Sequence, residues 1–500
     1  MHYNRLMLRL LFLLLVGPAL YAQTSSADAL TSARALFKQG KFQDAAGAYR
    51  AIVNKDPSSA LAYSGLVQSY LKADGISAAD EASDQALKAL PQSALAHAMR
   101  GAVYFREGLL AEAENQYRAA LKQDEKCERA WLGMGKIFAA VSRQDQARES
   151  FTKAHTLDPD DGDAWYHWAV LLPFPQSVTE LEKHLAEFRS SAEEERRERE
   201  FIDLLKGIGN REIWVASGSI DQAEIKLDLM APRPGVVLGL GLHVKFNNSS
   251  SAMLLLDTGT TWITIPHKLA EKIGAKKISD YGIEGVGDTG PAAGYFAWVD
   301  KITVGDVEFH DCVVHVSAGN NLNGADGLAG TNIFAKYLVT INFPEHKLRL
   351  GPLAEATSSS GETLVHPFDS KSNAQVFEFG HVLLLPARVN RSPIGLFVLD
   401  TGANSSSTTP EFARMAGKLH QVREPIRGVS GVVNQVFVLD DAALQFSSVS
   451  ESVHSLPAFD SRSLSRQLGT VVSGFIGFSS LNRAKVSINY RDGWVSLSEK

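Results

Sequence analysis

The sequence predicts two structural classes in one chain, an α-helical repeat domain followed by an all-β domain made of two similar lobes. The first observation is a fixed period in the N-terminal part, at which small residues and large apolar residues recur. The second is a duplication, in which an apolar run ends in Asp-Thr-Gly at Asp257 and again at Asp400. The third is a change near Arg211, where helical periodicity gives way to short β-rich runs separated by turn residues.

The composition is that of an ordinary multidomain globular protein. Of its 500 residues, 45% are hydrophobic and 21% are charged, and a net charge of −6 gives no basic surplus for binding nucleic acid. Cys127 and Cys312 fall in different predicted domains, so we expect two free buried thiols. Because no Cys/His cluster has metal-ligand spacing, we expect neither a metal nor a cofactor.

Residues 1–22 have the pattern of an export signal. A basic start with Arg5 and Arg9 leads into a short apolar run, and Ala22 precedes a polar stretch. We expect cleavage after Ala22 and an exported chain, either periplasmic or secreted. An uncleaved N-terminal anchor is the alternative, and it is the one way in which we expect the chain to meet a membrane.

Residues 26–175 carry the helical repeat. Small residues and large apolar residues each recur at a period of about 34 residues. Two such columns are Ala45, Ala79, Ala113, Ala147 and Leu36, Tyr70, Tyr104, Phe138. Small side chains let two helices approach closely, and large ones fill the space beside them. The pattern resembles the tetratricopeptide repeat, with four units and a capping helix. The resemblance implies a concave surface that binds a partner protein or a peptide.

A charged helical linker is expected over residues 176–210. It contains a run of Glu and Arg residues between positions 193 and 200. Mixed charges at helical spacing usually form a solvated helix face, so we predict no chemistry in this linker.

The β-rich region contains one plan twice, expected over residues 211–355 and 362–500. Five landmarks recur in the same order, three at an offset of 143 and two at an offset of 147, which one insertion between them explains. The pairs are Asn247 with Asn390, Asp257 with Asp400, Gly285 with Gly428, Gly330 with Gly477, and Asn342 with Asn489. Such a duplication predicts two lobes related by a pseudo-twofold axis.

The order of these landmarks resembles the pepsin and retropepsin aspartic proteases over about residues 222–500. For the whole chain, we therefore predict a multidomain α plus all-β fold class. A tetratricopeptide-repeat α-solenoid precedes a bilobal pepsin/retropepsin-like β-barrel protease domain. The resemblance implies an aspartic endopeptidase with Asp257 and Asp400 as its catalytic pair and a peptide or protein as its substrate.

Two facing carboxylates suit the hydrolysis of a peptide bond, because like charges that close share one proton. One partner takes a proton from water while the other binds the scissile carbonyl oxygen, so neither a metal nor a covalent intermediate is required. Gly259 and Gly402 are expected to turn the backbone and to present N–H groups to the carboxylates. The resemblance implies that Thr258 and Thr401 hydrogen-bond across the lobe interface.

Both motifs are followed by a Gly-rich loop at the flap position. The expected flap and substrate-binding residues are Gly285, Val286, Gly287, Gly428 and Val429. Pepsin-like enzymes have a single flap, so two such loops make the chain closer to a retropepsin dimer fused into one polypeptide.

The two motifs differ in their fourth residue, which is Thr260 in the first and Ala403 in the second. A hydroxyl at this position is expected to hydrogen-bond its own carboxylate and to keep it ionised. The sequence therefore predicts that Asp400 is the more easily protonated of the pair. We expect activity at mildly acidic to neutral pH.

Two other interpretations stay open from the sequence. In one, the chain is a catalytically inactive peptide-binding or scaffold protein that uses the repeats and a degenerate protease cleft, since a fold alone does not establish an activity. In the other, separately dimerising lobes form active sites between chains. The two retained Asp-Thr-Gly motifs favour the enzyme.

Overall fold

A computed structural model describes residues 27–218, 222–231, 237–247, 250–319, 325–355, 364–366, 373–428 and 430–499. The expected export signal, residues 1–22, and the expected flap residue Val429 lie outside the described residues. None of the helices in the described ranges is long and apolar enough to cross a membrane.

The chain divides into two compact units. The first contains the described residues through Met134 together with segments 150–168 and 182–195. The second contains segments 135–149 and 169–181 and everything from Arg196 onward. The units interleave along the chain, whereas the sequence analysis expects one boundary region at 176–210.

The N-terminal part is a series of short helices joined by tight turns. They are α1 (27–38), α2 (Phe42–Lys55), α3 (Ala60–Lys72), α4 (Ile76–Ala89), α5 (Ala94–Glu107), α6 (Leu110–Gln123), α7 (Glu128–Ala140), α8 (Gln144–Leu157), α9 (Gly162–Val170), α10 (Gln176–Glu187) and α11 (Ala192–Ile208). Ser59 and Ser93 cap α3 and α5, because each side chain accepts a hydrogen bond from the third backbone N–H that follows.

The periodic small residues are the places where these helices touch. Ala45, Ala79 and Ala113 are completely buried. Tyr117 is also buried, and a Cβ added at Gly133 would lie 2.1 Å from its ring. The period therefore records close helix packing, in which a larger side chain has no room.

The β-rich part begins with the elements of the first lobe. They are β1 (Val215–Ala216), β2 (Ala223–Met230), β3 (Gly239–Phe246), β4 (Ser250–Leu256), β5 (Ile263–Pro266), α12 (His267–Ile273), β6 (Lys276–Ile283), β7 (Ala292–Val304), β8 (Val307–Ser317), β9 (Leu328–Ala329), a 3₁₀ helix (Thr331–Phe334), β10 (Leu338–Asn342) and β11 (Lys347–Gly351).

The second lobe follows, with a set of elements that corresponds to that of the first lobe. They are β12 (Asn373–Gln375), β13 (Phe377–Phe379), β14 (Val382–Val389), β15 (Gly395–Leu399), β16 (Ser407–Thr408), α13 (Pro410–Ala416), β17 (Leu419–Val422), β18 (Ile426–Gly428), β19 (Gly431–Val433), β20 (Val436–Phe446), β21 (Val449–Ala458), α14 (Arg462–Leu468), β22 (Gly474–Ile476), α15 (Phe478–Leu481), β23 (Ala484–Asn489) and β24 (Trp494–Glu499).

The same strand pairings recur in both lobes. β4 pairs in parallel with β9, and β15 pairs in parallel with β22. Each of these inner strands also borders a short antiparallel strand, β5 at β9 and β16 at β22. The last three residues of β4 and of β15 are all buried, so the apolar runs before the two aspartates are strands covered on both faces.

Asn247 and Asn390 sit at equivalent hairpin turns. Both have a left-handed backbone, with φ of 49° and 53°, which Asn tolerates better than most residues. The Asn247 amide donates to the carbonyl of Ile273 at the end of α12. The Asn390 amide donates to the carbonyl of Ala416 at the end of α13. These landmarks therefore tie each hairpin to the helix of its own lobe.

Strands β12, β23 and β24 of the second lobe join the large sheet of the first lobe, whereas β15 lies in a separate sheet of the second lobe. β10 of the first lobe pairs antiparallel with β23 of the second, with Val339 opposite Ile488. Beside this pair the hydroxyls of Thr340 and Ser487 hydrogen-bond at 2.9 Å. A single buried cluster runs from Trp214 through both lobes. One hydrophobic core thus connects the two aspartate-bearing strands.

Candidate active site

Asp257 and Asp400 leave the ends of β4 and β15, and their side chains hydrogen-bond to each other. The glycines of the two motifs make the close approach possible. A Cβ added at Gly259 would lie 3.1 Å from Asp400 Cγ, and one at Gly402 would lie 2.4 Å from Asp257 Cγ. The structure thus brings together, within one chain, the two carboxyl groups that the sequence pairs.

Backbone N–H groups hold the two carboxyl groups unequally. Gly259 donates to Asp257 Oδ1 at 2.8 Å. Gly402 and Ala403 both donate to Asp400 Oδ1, at 3.0 and 2.9 Å. Asp400 therefore accepts two backbone hydrogen bonds where Asp257 accepts one, and hydrogen bonds of this kind favour the ionised form.

Burial raises the pKa of both carboxyl groups. The negative charge of Asp400 raises the pKa of Asp257 further, so that it lies well above the ordinary value. The backbone N–H groups and the Asp257 hydrogen bond oppose the rise in the pKa of Asp400. Like charges this close do not both ionise, so the pair shares one proton, and the two backbone hydrogen bonds favour Asp400 as the ionised partner.

The hydrogen bonds favour the opposite order to the prediction that Asp400 is the more easily protonated partner. In the described part of the chain, no hydrogen bond joins the Thr260 hydroxyl to Asp257. At the other motif the backbone N–H of Ala403 reaches Asp400 without needing a side chain. The asymmetry follows from the backbone, which residue types alone do not reveal.

Thr258 and Thr401 interlock at the lobe interface, as the resemblance implies. The Thr258 hydroxyl donates to the Leu399 carbonyl at 2.6 Å, and the Thr401 hydroxyl donates to the Leu256 carbonyl at 2.8 Å. Each hydroxyl also accepts the backbone N–H of the other threonine, at 3.1 and 3.0 Å. These four buried hydrogen bonds join the strand ends that carry the aspartates.

The two Gly-containing loops meet tip to tip. The N–H of Ser430 donates to the Val286 carbonyl at 3.0 Å, and the N–H of Thr289 donates to the Ser430 carbonyl at 3.2 Å. A Cβ at Gly287, where φ is +148°, would lie 2.1 Å from the Ser430 carbonyl. One at Gly428 would lie 2.2 Å from the Val286 oxygen. These glycines permit the crossing of the two loops.

Sequence comparisons agree with this geometry. Residues 242–333 match the family model of the aspartyl proteases. Residues 30–94, 65–126 and 103–162 match the tetratricopeptide repeat. The chain combines tetratricopeptide repeats with an aspartyl protease domain. The predicted fold class, helical repeats followed by a β-rich aspartic protease fold, is confirmed.

A solved structure also matches the chain. The crystal structure of an aspartic proteinase from Irpex lacteus matches with 12% sequence identity, covers 56% of this chain and 97% of its own, and has a TM-score of 0.37. No curated protein sequence matches the chain. The stretch matched to the protease family contains Asp257 but not Asp400, so the internal duplication and the shared hydrogen bonds connect the second motif to the first.

The aspartyl protease domain holds site residues that the sequence analysis misses. Thr289 and Ser430 make the hydrogen bonds between the loop tips. By the offset between the two motifs, Ser430 is the residue equivalent to Gly287. Gly285 lies in the loop after β6, beside these contacts in the chain. The constant offset between the motifs draws attention to position 430. A single serine in a loop, however, does not predict which residue it will hydrogen-bond.

His381 lies next to the first motif although it belongs to the second lobe. It occupies the β13–β14 turn and hydrogen-bonds to the Gly259 backbone. Burial lowers the pKa of His381 to about 4, so the imidazole is neutral near neutral pH. The equivalent position in the first lobe is Leu238, which packs in an apolar cluster. Nothing in the local sequence marks His381, because its partner comes from the other lobe.

The described residues of the domain contain no group of three or more His, Cys, Asp or Glu side chains arranged to hold a metal ion. Cys127 and Cys312 are free and buried, and burial raises the pKa of both thiols.

Proposed function

We propose that the chain is an aspartic-type endopeptidase in which Asp257 and Asp400 activate water. The observation that carries this proposal is the hydrogen bond between two half-buried carboxyl groups, one from each copy of the duplicated motif. A carboxyl pair with one shared proton supplies both a base for water and an acid for the amide.

The hydrogen-bonding pattern suggests the starting roles. Ionised Asp400 accepts a proton from water, and the resulting oxygen nucleophile attacks the scissile carbonyl carbon. Asp257 donates its proton to the carbonyl oxygen, which gives a neutral tetrahedral diol. A proton from the pair then passes to the amide nitrogen, the C–N bond breaks, and one diol hydroxyl returns its proton to the pair. The products are a carboxylic acid and an amine.

The flap loops support an extended peptide as the substrate. Gly287 and Gly428 let the backbones of the two flap loops approach each other closely, and extended peptides bind to such strands through backbone hydrogen bonds of the β type. We propose that the tetratricopeptide repeats recruit the substrate or a partner protein. We also propose that the chain is exported, on the pattern of residues 1–22.

The test is cleavage of an unfolded, labelled protein between pH 3 and 8. Asp257→Asn and Asp400→Asn are each expected to lower kcat/KM by at least about 10³-fold, because either change removes the shared-proton pair. Asp441→Asn is the matched control, since Asp441 lies on β20 with an exposed side chain.

Wild type and the Asp441 variant should cleave, and a pepstatin-type inhibitor should stop both. Equal inertness of all four proteins across this pH range, with peptide binding retained, would instead support an inactive peptide-binding protein. Cleavage that survives either catalytic substitution would assign the activity to other residues.

A further inference from the structure

The second half of α11 packs on the outer face of the first lobe. Leu204 is buried against Phe296 of β7 and Val313 of β8. A Cβ added at Gly207 would lie 2.1 Å from Cγ2 of Ile278 in β6. Glycine at this position therefore lets the helix lie directly on the strands that extend into the first flap.

The charged residues of this helix also reach the flap. Arg196 and Arg197 both bind Glu284, the first residue after β6, and the Arg197 contact is 3.3 Å long. The Glu284 side chain is only 13% exposed. Arg196 is itself held by both carboxylate oxygens of Glu200, at 2.8 and 2.7 Å. The expectation that the linker charges form only a solvated face is wrong for these residues.

The second flap has a different environment. The residue equivalent to Glu284 is Arg427, which is exposed and has no ion pair among the residues that the structure describes. Within the same described ranges, strands β18 and β19 pair only with each other, whereas β6 and β7 belong to the large sheet. The second flap is therefore a two-stranded ribbon, which is a weakly stabilised unit by itself.

We propose that Arg196, Arg197 and Glu284 form a clamp that fixes the first flap, so that substrate enters when the second flap separates from it. The residues are positioning residues for the endopeptidase activity proposed above, on which this role rests. Entry then requires breaking the hydrogen bonds between Ser430 and residues 286 and 289, while the first flap stays on its helix. Loss of the clamp frees both flaps and weakens substrate binding.

Hydrogen exchange measured by mass spectrometry on the full chain tests the clamp without any substrate. In wild type, amides of residues 426–433 are expected to exchange at least about tenfold faster than those of residues 281–287. Glu284→Gln, which keeps the side-chain shape, should speed exchange in the first flap by about tenfold, as expected for loss of charged hydrogen bonds. Arg197→Gln should give a smaller increase.

Asp203→Asn is the matched control, because Asp203 lies on the same helix with its side chain 60% exposed and pairs with Lys206 rather than with the flap. It should leave exchange of the first flap within about twofold of wild type. With a peptide substrate, Glu284→Gln should raise KM severalfold and change kcat little. Equal exchange of the two flaps in wild type, or no increase in Glu284→Gln, would overturn the clamp. Inert wild type with the predicted exchange would overturn the endopeptidase proposal alone.

Discussion

The two lobes of the protease domain are alike at the aspartates and different around them. At the threonines, the hydroxyl-to-carbonyl hydrogen bonds measure 2.6 and 2.8 Å in the two directions. Away from this axis, the first flap belongs to a large sheet and carries two arginine contacts, whereas the second is a two-stranded ribbon that hydrogen-bonds to the first at its tip. Symmetry is kept where the two carboxyl groups meet and is lost around the two flaps.

The same comparison explains the unequal charge of a nearly symmetric pair. Asp400 accepts two backbone hydrogen bonds and Asp257 one. The residue directly before β3 differs from the residue directly before β14. Leu238 lies in an apolar cluster, whereas His381 hydrogen-bonds to the Gly259 backbone. Two copies of one motif thus acquire different proton affinities from their neighbours rather than from their own residue types.

The strongest test of the symmetric part is to remove either threonine hydroxyl. Thr258→Val leaves the Leu399 carbonyl and the Thr401 N–H without partners, and Thr401→Val leaves the equivalent groups. Each variant is expected to lose about 2–4 kcal/mol of unfolding free energy, because both orphaned groups are buried. Urea denaturation measures the loss.

The threonine-to-serine variants are the controls, since serine keeps the hydroxyl and should recover most of the stability. The two valine variants are expected to lose equal amounts of unfolding free energy. A loss confined to one of the two valine variants would show that the interlock is not symmetric.

Glu378 in β13 gives the second lobe a pH-dependent stability. Its carboxyl group is half-buried and accepts the Ser142 hydroxyl at 3.2 Å. Burial raises the pKa of Glu378 from 4.5 to about 7. The folded chain then binds more protons than the unfolded chain in this window, so stability falls as pH rises through it. Glu378→Gln should stabilise the chain at pH 8 by roughly 1–3 kcal/mol and not at pH 4.

Glu411→Gln is the matched control, because Glu411 is exposed in the first turn of α13. Its urea midpoint should differ from wild type by the same small amount at both pH values. A Glu378→Gln variant that loses stability at pH 8 instead would mean that the carboxyl group is ionised in the folded chain and stabilises it.

The smallest effect is expected at the fourth motif residue. Thr260→Ala should change kcat/KM by less than about twofold at any pH, because the hydroxyl does not bind Asp257 in the structure. A shift of the pH–rate profile in Thr260→Ala would instead support the prediction that this hydroxyl hydrogen-bonds to Asp257 and keeps it ionised.

The parts of the site that the sequence predicts are local and duplicated. Asp257, Thr258 and Gly259 follow one another in the chain, and the second copy repeats them, so the duplication identifies the site without any structure. The periodic columns of small and large residues predict the helix stack for the same reason, since each repeat packs mainly on its neighbours.

The remaining parts depend on contacts between distant segments. Arg196 and Glu284 are 88 residues apart, and nothing distinguishes Arg196 from the other charges of α11 until the helix lies on β6. The proton of the pair depends on where the Ala403 N–H points, which is a property of the backbone. Neither a sequence repeat nor a sequence motif predicts contacts of this kind.

The most direct test of the shared proton is a ¹³C NMR titration of the two aspartate carboxyl carbons. The account predicts that Asp257 in wild type holds its proton well above the ordinary pKa of about 3.9, and that Asp400→Asn lowers this pKa by removing the neighbouring charge. Two carboxyl groups that titrate independently near a pKa of about 3.9, each unaffected by replacement of the other, would contradict it.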